Sequence, residues 1–196
     1  MWVIELYTTV DSGIVTGMSK PNAKPLLGRT KWKDLDPPRI DIRKVDASLK
    51  LPEPGMLPAS QSIEKAIEIV AKAIGVSKEN PIKIISTPVE EVRAEYNKIF
   101  HLVEKRGEDR ERYANYVLPA LKKPFEVWKV AYDDGGYRHR YIGLFQGERD
   151  LAVTVKVDDD GSLLWNIMQD DHAGMNRMRI GELVYEKKQA NMVKSE

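Results

Sequence analysis

The chain has 196 residues, of which 42% are hydrophobic and 31% are charged, so it can form one packed domain with a smaller appendage. Its 31 basic and 30 acidic residues nearly cancel, which means that any nucleic-acid-binding surface has to come from local clustering. The absence of cysteine excludes disulfides and thiolate metal sites. Neither a signal peptide nor a membrane-spanning run is recognisable, so we expect a soluble protein with no membrane partner.

The first third of the chain combines a strand, a proline-rich segment and a helix. Residues 2–10 alternate as a strand does. Residues 17–60 contain seven prolines and no lasting period, so they form either an extended arm or an irregular loop packed on the domain. Residues 63–74 fit an amphipathic helix that Ser60 or Ser62 caps and Gly75 ends.

A short strand and two further helices are predicted next. Residues 81–86 form an apolar run typical of a strand. Thr87-Pro88-Val89-Glu90 is typical of a capping box with proline at the first helical position. The apolar stripe of this second helix would consist of Val92, Tyr96, Ile99, Phe100 and Val103. A third helix is expected from Glu108 to about Leu121, and Pro119 should tighten or stop its last turn.

From residue 125 the apolar period changes from 3.6 to 2. Residues 126–132, 137–146, 151–157 and 162–168 are predicted strands, and Asp- and Gly-rich turns link them. Such short connections indicate an antiparallel meander. One helical turn is expected at 176–179 and a fifth strand at 182–187. We therefore predict an α+β fold in which N-terminal helices pack on a curved antiparallel β-meander of four to five strands.

The sequence contains no recognisable metal or cofactor motif. Its three histidines form no H-x-x-H pair, and residues 158–161 fit a β-turn better than a calcium loop. We therefore predict no metal and no cofactor. RNA can be cleaved without a metal when its own 2′-OH attacks the phosphate, provided that the enzyme transfers protons and stabilises the added charge. Histidine can transfer the protons, and Arg or Lys can supply the charge.

The residues suited to this chemistry lie on or beside the predicted sheet. Alternation places Arg138 and Arg140 on one face of a strand, with His139 and Tyr141 on the other. The other candidates are His101, Lys156, Asn166, His172, Asn176, Arg177 and Arg179. Taken alone, these residues indicate only a basic patch on an antiparallel sheet. Trp128 and Trp165 fit a core role better than a base-stacking role.

Several short motifs follow one another between His101 and Tyr185. They are Glu108-Asp109, Tyr116-Val-Leu-Pro119, Lys123-Pro-Phe-Glu-Val-Trp128, Arg140-Tyr141, the strand Leu151–Val157 and Asn176-Arg-Met-Arg-Ile-Gly-Glu-Leu-Val-Tyr185. This succession resembles the phage-type branch of the barnase–EndoU–colicin–RelE nuclease superfamily, as found in the C-terminal domain of minor head proteins of Mu-like phages. The resemblance covers about 85 residues.

The resemblance implies that RNA binds on the concave face of the sheet. His101 would act as general base or acid, with His172 as a reserve acid. Arg140 and Lys156 would bind the scissile phosphate, and their side chains should lie on the same face. We assign substrate binding to Arg138, Tyr141, Asn166, Asn176, Arg177 and Arg179.

The predicted function is a metal-independent endoribonuclease, phage-derived or toxin-like, that cleaves RNA by transphosphorylation. Residues 98–187 would be the nuclease domain, residues 1–97 an unrecognised N-terminal part and residues 188–196 a tail. We expect the protein in the host cytoplasm or in the virion, with RNA, phage head components or an inhibitor protein as partners.

Two other functions stay open: a head-associated structural protein with an inactive nuclease-like domain, and an RNA-binding module. A pocket lined by His101, Arg140 and Lys156 would favour the nuclease. Burial of these three residues in salt bridges would favour the structural protein. An exposed platform of Trp128 and Trp165 would favour the RNA-binding module.

Overall fold

The structure, a computed structural model, describes residues 23–104 and 109–187. Its helices are α1 (Ile63–Ile74), α2 (Ile99–Val103), α3 (Ala114–Lys122) and α4 (His172–Met175). Its strands are β1 (Ile82–Ser86), β2 (Glu91–Glu95), β3 (Glu126–Ala131), β4 (Tyr137–Gly143), β5 (Asp150–Asp158), β6 (Gly161–Asp170) and β7 (Glu182–Glu186). The strand predicted at residues 2–10 and the tail at 188–196 lie outside the described residues. No helix in the described ranges is long and apolar enough to cross a membrane.

The seven described strands form one sheet, in the order β1-β2-β6-β5-β4-β3-β7. The four strands predicted between residues 126 and 168 are confirmed as β3 to β6, and the fifth as β7; these strands pair antiparallel. The α+β class is confirmed, but the predicted count of four to five strands was too low. The sheet is also more than a meander, because β7 returns to pair with β3 and β2 joins β6 in parallel.

The segment predicted as the second helix begins as a β-hairpin. The side-chain oxygen of Thr87 accepts hydrogen bonds from the N–H groups of Val89 and Glu90, at 3.3 and 3.1 Å, and so closes the turn. Residues 91–95 then pair with β1, and Val92 and Ala94 are buried at alternate positions. The helical prediction was wrong because Thr and Pro close turns as well as they begin helices. Helical turns start only at residue 96.

Helix α1 forms as predicted. The Ser62 hydroxyl accepts a hydrogen bond from the N–H of Lys65 at 3.2 Å. Gly75 ends the helix with a φ of +88°, a left-handed conformation that glycine adopts without steric cost. The buried side of the helix carries Ala66, Val70, Ala71 and Ile74.

The third predicted helix is confirmed over the described residues, as a 3-10 turn at Arg110–Tyr113 followed by α3. Pro119 lies inside α3 and does not stop it, because the helix continues to Lys122. A proline removes only its own N–H from the backbone ladder. The N–H of Lys123 donates to the carbonyl of Pro119 at 2.9 Å and closes the last turn.

Both faces of the sheet are covered. Helices α1, α2 and α3 pack on one face, which we call the helix face, against side chains that include Tyr141, Val153 and Leu164. We call the opposite face the outer face. Residues 32–49 and α4 pack there, and Ile42 lies in the same apolar cluster as Trp128.

From residue 23 onward, the proline-rich segment is therefore a loop packed on the domain, the second of the two interpretations offered above. Backbone bridges join Pro25 to Tyr132 and Leu51 to Phe145. Two apolar residues between the prolines, Ile42 and Val45, are buried, and their burial favours the packed conformation over a free arm. The division of the chain at residues 97 and 98 stays a prediction.

Candidate active site

Strand alternation separates four of the predicted site residues in β4. Tyr141 belongs to the apolar cluster on the helix face, and His139 shares its parity. Arg138 and Arg140 share the parity of Ile142, which packs on the outer face. This distribution agrees with the alternation predicted from the sequence.

The register of the central strands aligns three candidates on the outer face. Arg138 pairs with Lys156, and Arg140 pairs with Thr154. Thr154 pairs in turn with Asn166 on β6. Directly paired residues point to the same side of a sheet, so Arg140, Lys156 and Asn166 lie on the outer face of three neighbouring strands.

His101 is exposed and rests on an aromatic ring. It lies in α2 and stacks on Trp165, with ring centroids 5.1 Å apart and planes at 27°. Its side chain is 39% exposed, and its Nδ1 lies 3.6 Å from the Glu104 carboxylate, which is too far for a hydrogen bond. Among the described residues, no hydrogen bond therefore occupies the imidazole.

A β-bulge in β6 lies at Trp165, whose ring is also close to Lys156. Thr154 pairs with Asn166 while Val155 pairs with Leu164, so Trp165 is an extra residue in β6. Bulges redirect side chains in this way and are frequent next to active sites. The Lys156 ammonium lies 5.7 Å from the Trp165 ring centroid. We call His101, Trp165 and Lys156 the His101 cluster.

The charge of Lys156 is partly offset. Its Nζ lies 2.5 Å from Oδ2 of Asp158, and the Lys156 side chain is 12% exposed. The Lys156 ammonium, which is part of the His101 cluster, therefore already has a carboxylate counter-ion.

The sequence analysis missed two arginines near this part of the sheet, one of which contacts Asn166. Arg110 donates a short hydrogen bond to Oδ1 of Asn166. Arg110 and Arg112 also line a cleft of about 430 Å³, together with Tyr113 and Gln169. The signal available in the sequence was the pair of arginines, two residues apart, near the start of the predicted third helix.

The two β4 arginines are buried. Arg138 pairs with Asp134 at 2.6 Å, and both side chains are nearly inaccessible. Burial raises the pKa of Asp134. The hydrogen bonds from Arg138 and from the Gly136 N–H together lower it by a larger amount, so the pKa of Asp134 lies below its usual value. Arg140 is 4% exposed and donates to the carbonyl of Met178 at 2.8 Å.

His139 takes part in a hydrogen-bond network on the helix face. Its Nδ1 lies 2.6 Å from Oε1 of Glu90. Glu90 also accepts hydrogen bonds from the hydroxyl of Tyr141, at 2.9 Å, and from Ser162. Burial raises the pKa of Glu90, yet the hydrogen bonds from His139 and Ser162 outweigh it and lower the pKa.

His172, the predicted reserve acid, is held on both ring nitrogens. Its Nδ1 lies 2.6 Å from Oδ2 of Asp150, and its Nε2 lies 3.2 Å from the Lys50 ammonium. Burial raises the pKa of Asp150 above its usual value, although the hydrogen bond to His172 opposes this rise. His172 is thus bound in a structural contact between α4, β5 and the proline-rich segment.

Of the last three candidates, only Arg177 is exposed. Arg179 is completely buried with Glu126, and its two hydrogen bonds to that carboxylate are both 2.6 Å long. Asn176 accepts from Arg179 and donates to Asp41. Because buried side chains cannot reach RNA, Arg138, Tyr141, Asn176 and Arg179 are not part of the site proposed below.

The arrangement thus brings His101 and Lys156 together and leaves Arg140 on the next strand. Across residues 23–104 and 109–187, no group of three or more His, Asp or Glu side chains could hold a metal ion. Helices pack on one face of the sheet, and a histidine and a lysine lie against the same tryptophan ring beside it. The class of protein is therefore an α+β domain that carries groups suited to phosphodiester cleavage.

A sequence model of one such family matches the chain. The family is described as phage-Barnase-EndoU-ColicinE5/D-RelE like nuclease2, and the match covers residues 70–186, more than half of the chain. The chain therefore belongs to this family, and the resemblance predicted from the motifs is confirmed. No curated protein and no solved structure matches the chain.

Proposed function

We propose that the chain is a metal-independent endoribonuclease whose active site is the His101 cluster. The observation that carries this proposal is the stacking of an exposed His101, whose imidazole forms no hydrogen bond among the described residues, on Trp165, with the Lys156 ammonium 5.7 Å from the same ring. A proton-transferring group and a cation thereby lie together in a member of a nuclease family.

The proposed reaction is an internal transphosphorylation. The 2′-oxygen of RNA attacks the adjacent phosphorus, the new O2′–P bond forms and the P–O5′ bond breaks, which leaves 2′,3′-cyclic phosphate and 5′-hydroxyl ends. His101 carries out one of the two proton transfers, and water carries out the other. Lys156 stabilises the charge on the phosphorane, and Asn166 with its Arg110 partner lies beside the path of the RNA.

Cleavage of mixed cellular RNA by the purified full chain in excess EDTA tests this proposal. We expect wild-type activity to survive EDTA, and 2′-deoxy substrates to resist because they lack the nucleophile. His101→Ala should lower the rate by roughly 10²–10⁴-fold, the usual contribution of a general acid or base. Asn97→Ala removes an exposed side chain next to α2 and should keep full activity.

The results that oppose the proposal are equally concrete. Cleavage that continues unchanged in His101→Ala would remove His101 from the mechanism. A wild-type protein that cleaves no RNA would instead favour the head-associated structural protein. The ion pair between Lys156 and Asp158 is the observation that supports that alternative. An exposed platform of two tryptophans is not formed, because Trp128 is fully buried.

A further inference from the structure

The cleft of about 430 Å³ opens beside an edge of β6 that no described strand covers. Strand β2 pairs with β6 only at Ser162 and Leu163, so within the described part of the chain the edge at residues 164–170 has no strand partner on that side. Helix α2 and the 3-10 turn Arg110–Tyr113 pack against β6 instead. This edge therefore carries both the His101 cluster and the cleft.

The strand and the turn place the two features close together. Trp165 of the His101 cluster precedes Gln169 of the cleft by four residues, which corresponds to roughly 13 Å along a strand. Asn166 accepts a hydrogen bond from Arg110, so the turn that carries Arg112 is attached directly after Trp165. Arg110 itself is buried and positions this turn. A single-stranded RNA can therefore contact the cluster and the cleft at the same time.

The polar lining of the cleft offers both hydrogen-bond donors and acceptors. Arg112 is partly exposed, and its Nε has no hydrogen-bond partner among the described residues. Asp109 directly precedes the turn, and its carbonyl accepts the N–H of Arg112 at 3.1 Å; its carboxylate is an acceptor. Gln169 adds an amide, which is oriented because its Oε1 accepts a hydrogen bond from Arg149 at 3.2 Å.

The remaining lining is apolar. Met168, Met178 and Tyr113 lie there, and the Tyr113 ring packs edge-to-face on Tyr116 with centroids 5.7 Å apart. The cleft has the size of pockets that bind small molecules. A nucleobase suits this lining because it has apolar faces and an edge with donors and acceptors. A phosphate suits it less, because the carboxylate of Asp109 would repel it.

We propose that this cleft binds the base of one unpaired nucleotide of the substrate RNA, close to the phosphate that the His101 cluster cleaves. The inference rests on the proposed function and adds a sequence preference to it. Arg112 donates to acceptors on the edge of the base, Asp109 accepts from its N–H groups, and the methionines contact its face. Such recognition requires unstacked bases, so the substrate is single-stranded at this position.

The base composition around the cleavage sites is the first readout. The full chain cleaves a random-sequence RNA in excess EDTA, and the new ends are sequenced. We expect the wild type to favour particular bases at a nucleotide near the cut. Arg112→Met keeps the apolar stem and removes the donors, so cleavage of the favoured sequences should slow by roughly tenfold and the preference should flatten. Lys122→Met removes a positive charge from an exposed position in α3 and should keep the preference.

Two further variants separate recognition of a base from general attraction to RNA. Arg112→Lys keeps the charge but lacks the planar fork of donors, so the preference should weaken while the salt dependence of binding stays the same. Asp109 has a φ of +43°, a left-handed conformation that asparagine also adopts. Asp109→Asn should therefore fold, and it should change which base is favoured because an amide donates as well as accepts.

Binding of short 2′-O-methyl oligonucleotides, one for each base, gives a readout that does not require cleavage. Affinities that differ among the bases in the wild type and converge in Arg112→Met would retain the subsite, even in a protein that cleaves no RNA and so loses the proposed enzyme. A wild type without base preference in cleavage and binding would overturn the subsite. A folded Arg112→Met protein with the wild-type preference would also overturn it, and cleavage that depends on His101 would then stand alone.

Discussion

At the scale of single residues, hydrogen bonding separates the three histidines. His139 and His172 each lie 2.6 Å from a carboxylate, that of Glu90 and that of Asp150. A ring held in this way has a fixed orientation and one nitrogen already engaged. His101 instead contacts the face of Trp165, which orients the imidazole, and no hydrogen bond within the described residues occupies its nitrogens. His139 and His172 thus have structural roles, and His101 is the candidate catalytic histidine.

The ion pair between Lys156 and Asp158 predicts that substitutions of its two residues change the affinity for RNA in opposite directions. Asp158→Asn should leave the ammonium unopposed and strengthen the binding of a non-cleavable RNA by about two- to fivefold, the range expected for a partly exposed pair. Lys156→Ala should weaken binding and cleavage. Asp159→Asn, at the exposed neighbouring position, controls for the change in net charge. A shift of the affinity in the same direction in Asp158→Asn and Lys156→Ala would contradict this account.

At the scale of elements, the turn between β1 and β2 is joined to the centre of the sheet. Thr87 hydrogen-bonds to the hydroxyl of Tyr141 at 2.9 Å. Glu90, from the same turn, accepts hydrogen bonds from Tyr141 on β4 and from Ser162 on β6. Because β2 and β6 share only a short parallel register at residues 92–93 and 162–163, this network is a buried polar contact that holds the hairpin against the sheet, in addition to the exposed pair of Arg93 with Asp160.

Glu90→Gln should therefore lower the free energy of unfolding by roughly 1–3 kcal/mol at pH 7, because it weakens several buried hydrogen bonds. The pKa of Glu90 in the folded protein lies below its usual value of 4.5. Its stabilising contribution is thus complete above about pH 4.5 and is lost as the pH falls through the lower folded pKa. The gap between wild type and variant should narrow over that acidic range.

Urea unfolding at several pH values measures this gap. Glu91→Gln, at the exposed next position, removes the same charge without touching the network and serves as the control. A gap that is independent of pH, or equal in the two variants, would refute the assigned role of Glu90.

At the scale of the whole molecule, the outer face is closed around a buried ion pair. Arg179 contacts Glu126 in the sheet, and its Nη1 donates to the carbonyl of Ile40 in the proline-rich segment at 2.9 Å. The same guanidinium lies 5.0 Å from the ring of Trp32. Arg179, which lies near the C-terminal end of the described residues, therefore holds the proline-rich segment against the sheet.

Arg179→Met should lower the free energy of unfolding by about 3–5 kcal/mol, because it leaves Glu126 buried without its counter-ion. Arg177→Met, at an exposed position, should be nearly neutral for stability. Chemical denaturation of both variants tests the difference. If Arg179→Met weakened RNA binding and left stability unchanged, Arg179 would contact substrate after all.

Local chemistry in the sequence determined much of the second half of the fold. Alternating apolar residues and Asp–Gly turns predicted β3 to β6 because both signals act between near neighbours. The same alternation predicted that Arg138 and Arg140 lie on the opposite face of β4 from His139 and Tyr141. The turn at Thr87 was misassigned because one local motif stabilises two conformations, and the partner strand that decides between them is supplied by the tertiary structure.

Only the tertiary structure decided which charged side chains are buried in ion pairs and which can contact a ligand. Arg138, Arg140 and Arg179 are equivalent as letters in a sequence. Glu126 lies 53 positions from Arg179, and Met178, whose carbonyl accepts the hydrogen bond of Arg140, lies 38 positions from it. Family membership was determined by short motifs in sequence order. The candidate site depends on burial and on long-range charge pairing, because the energy of an ionised side chain is set by groups that the chain brings near it only after it folds.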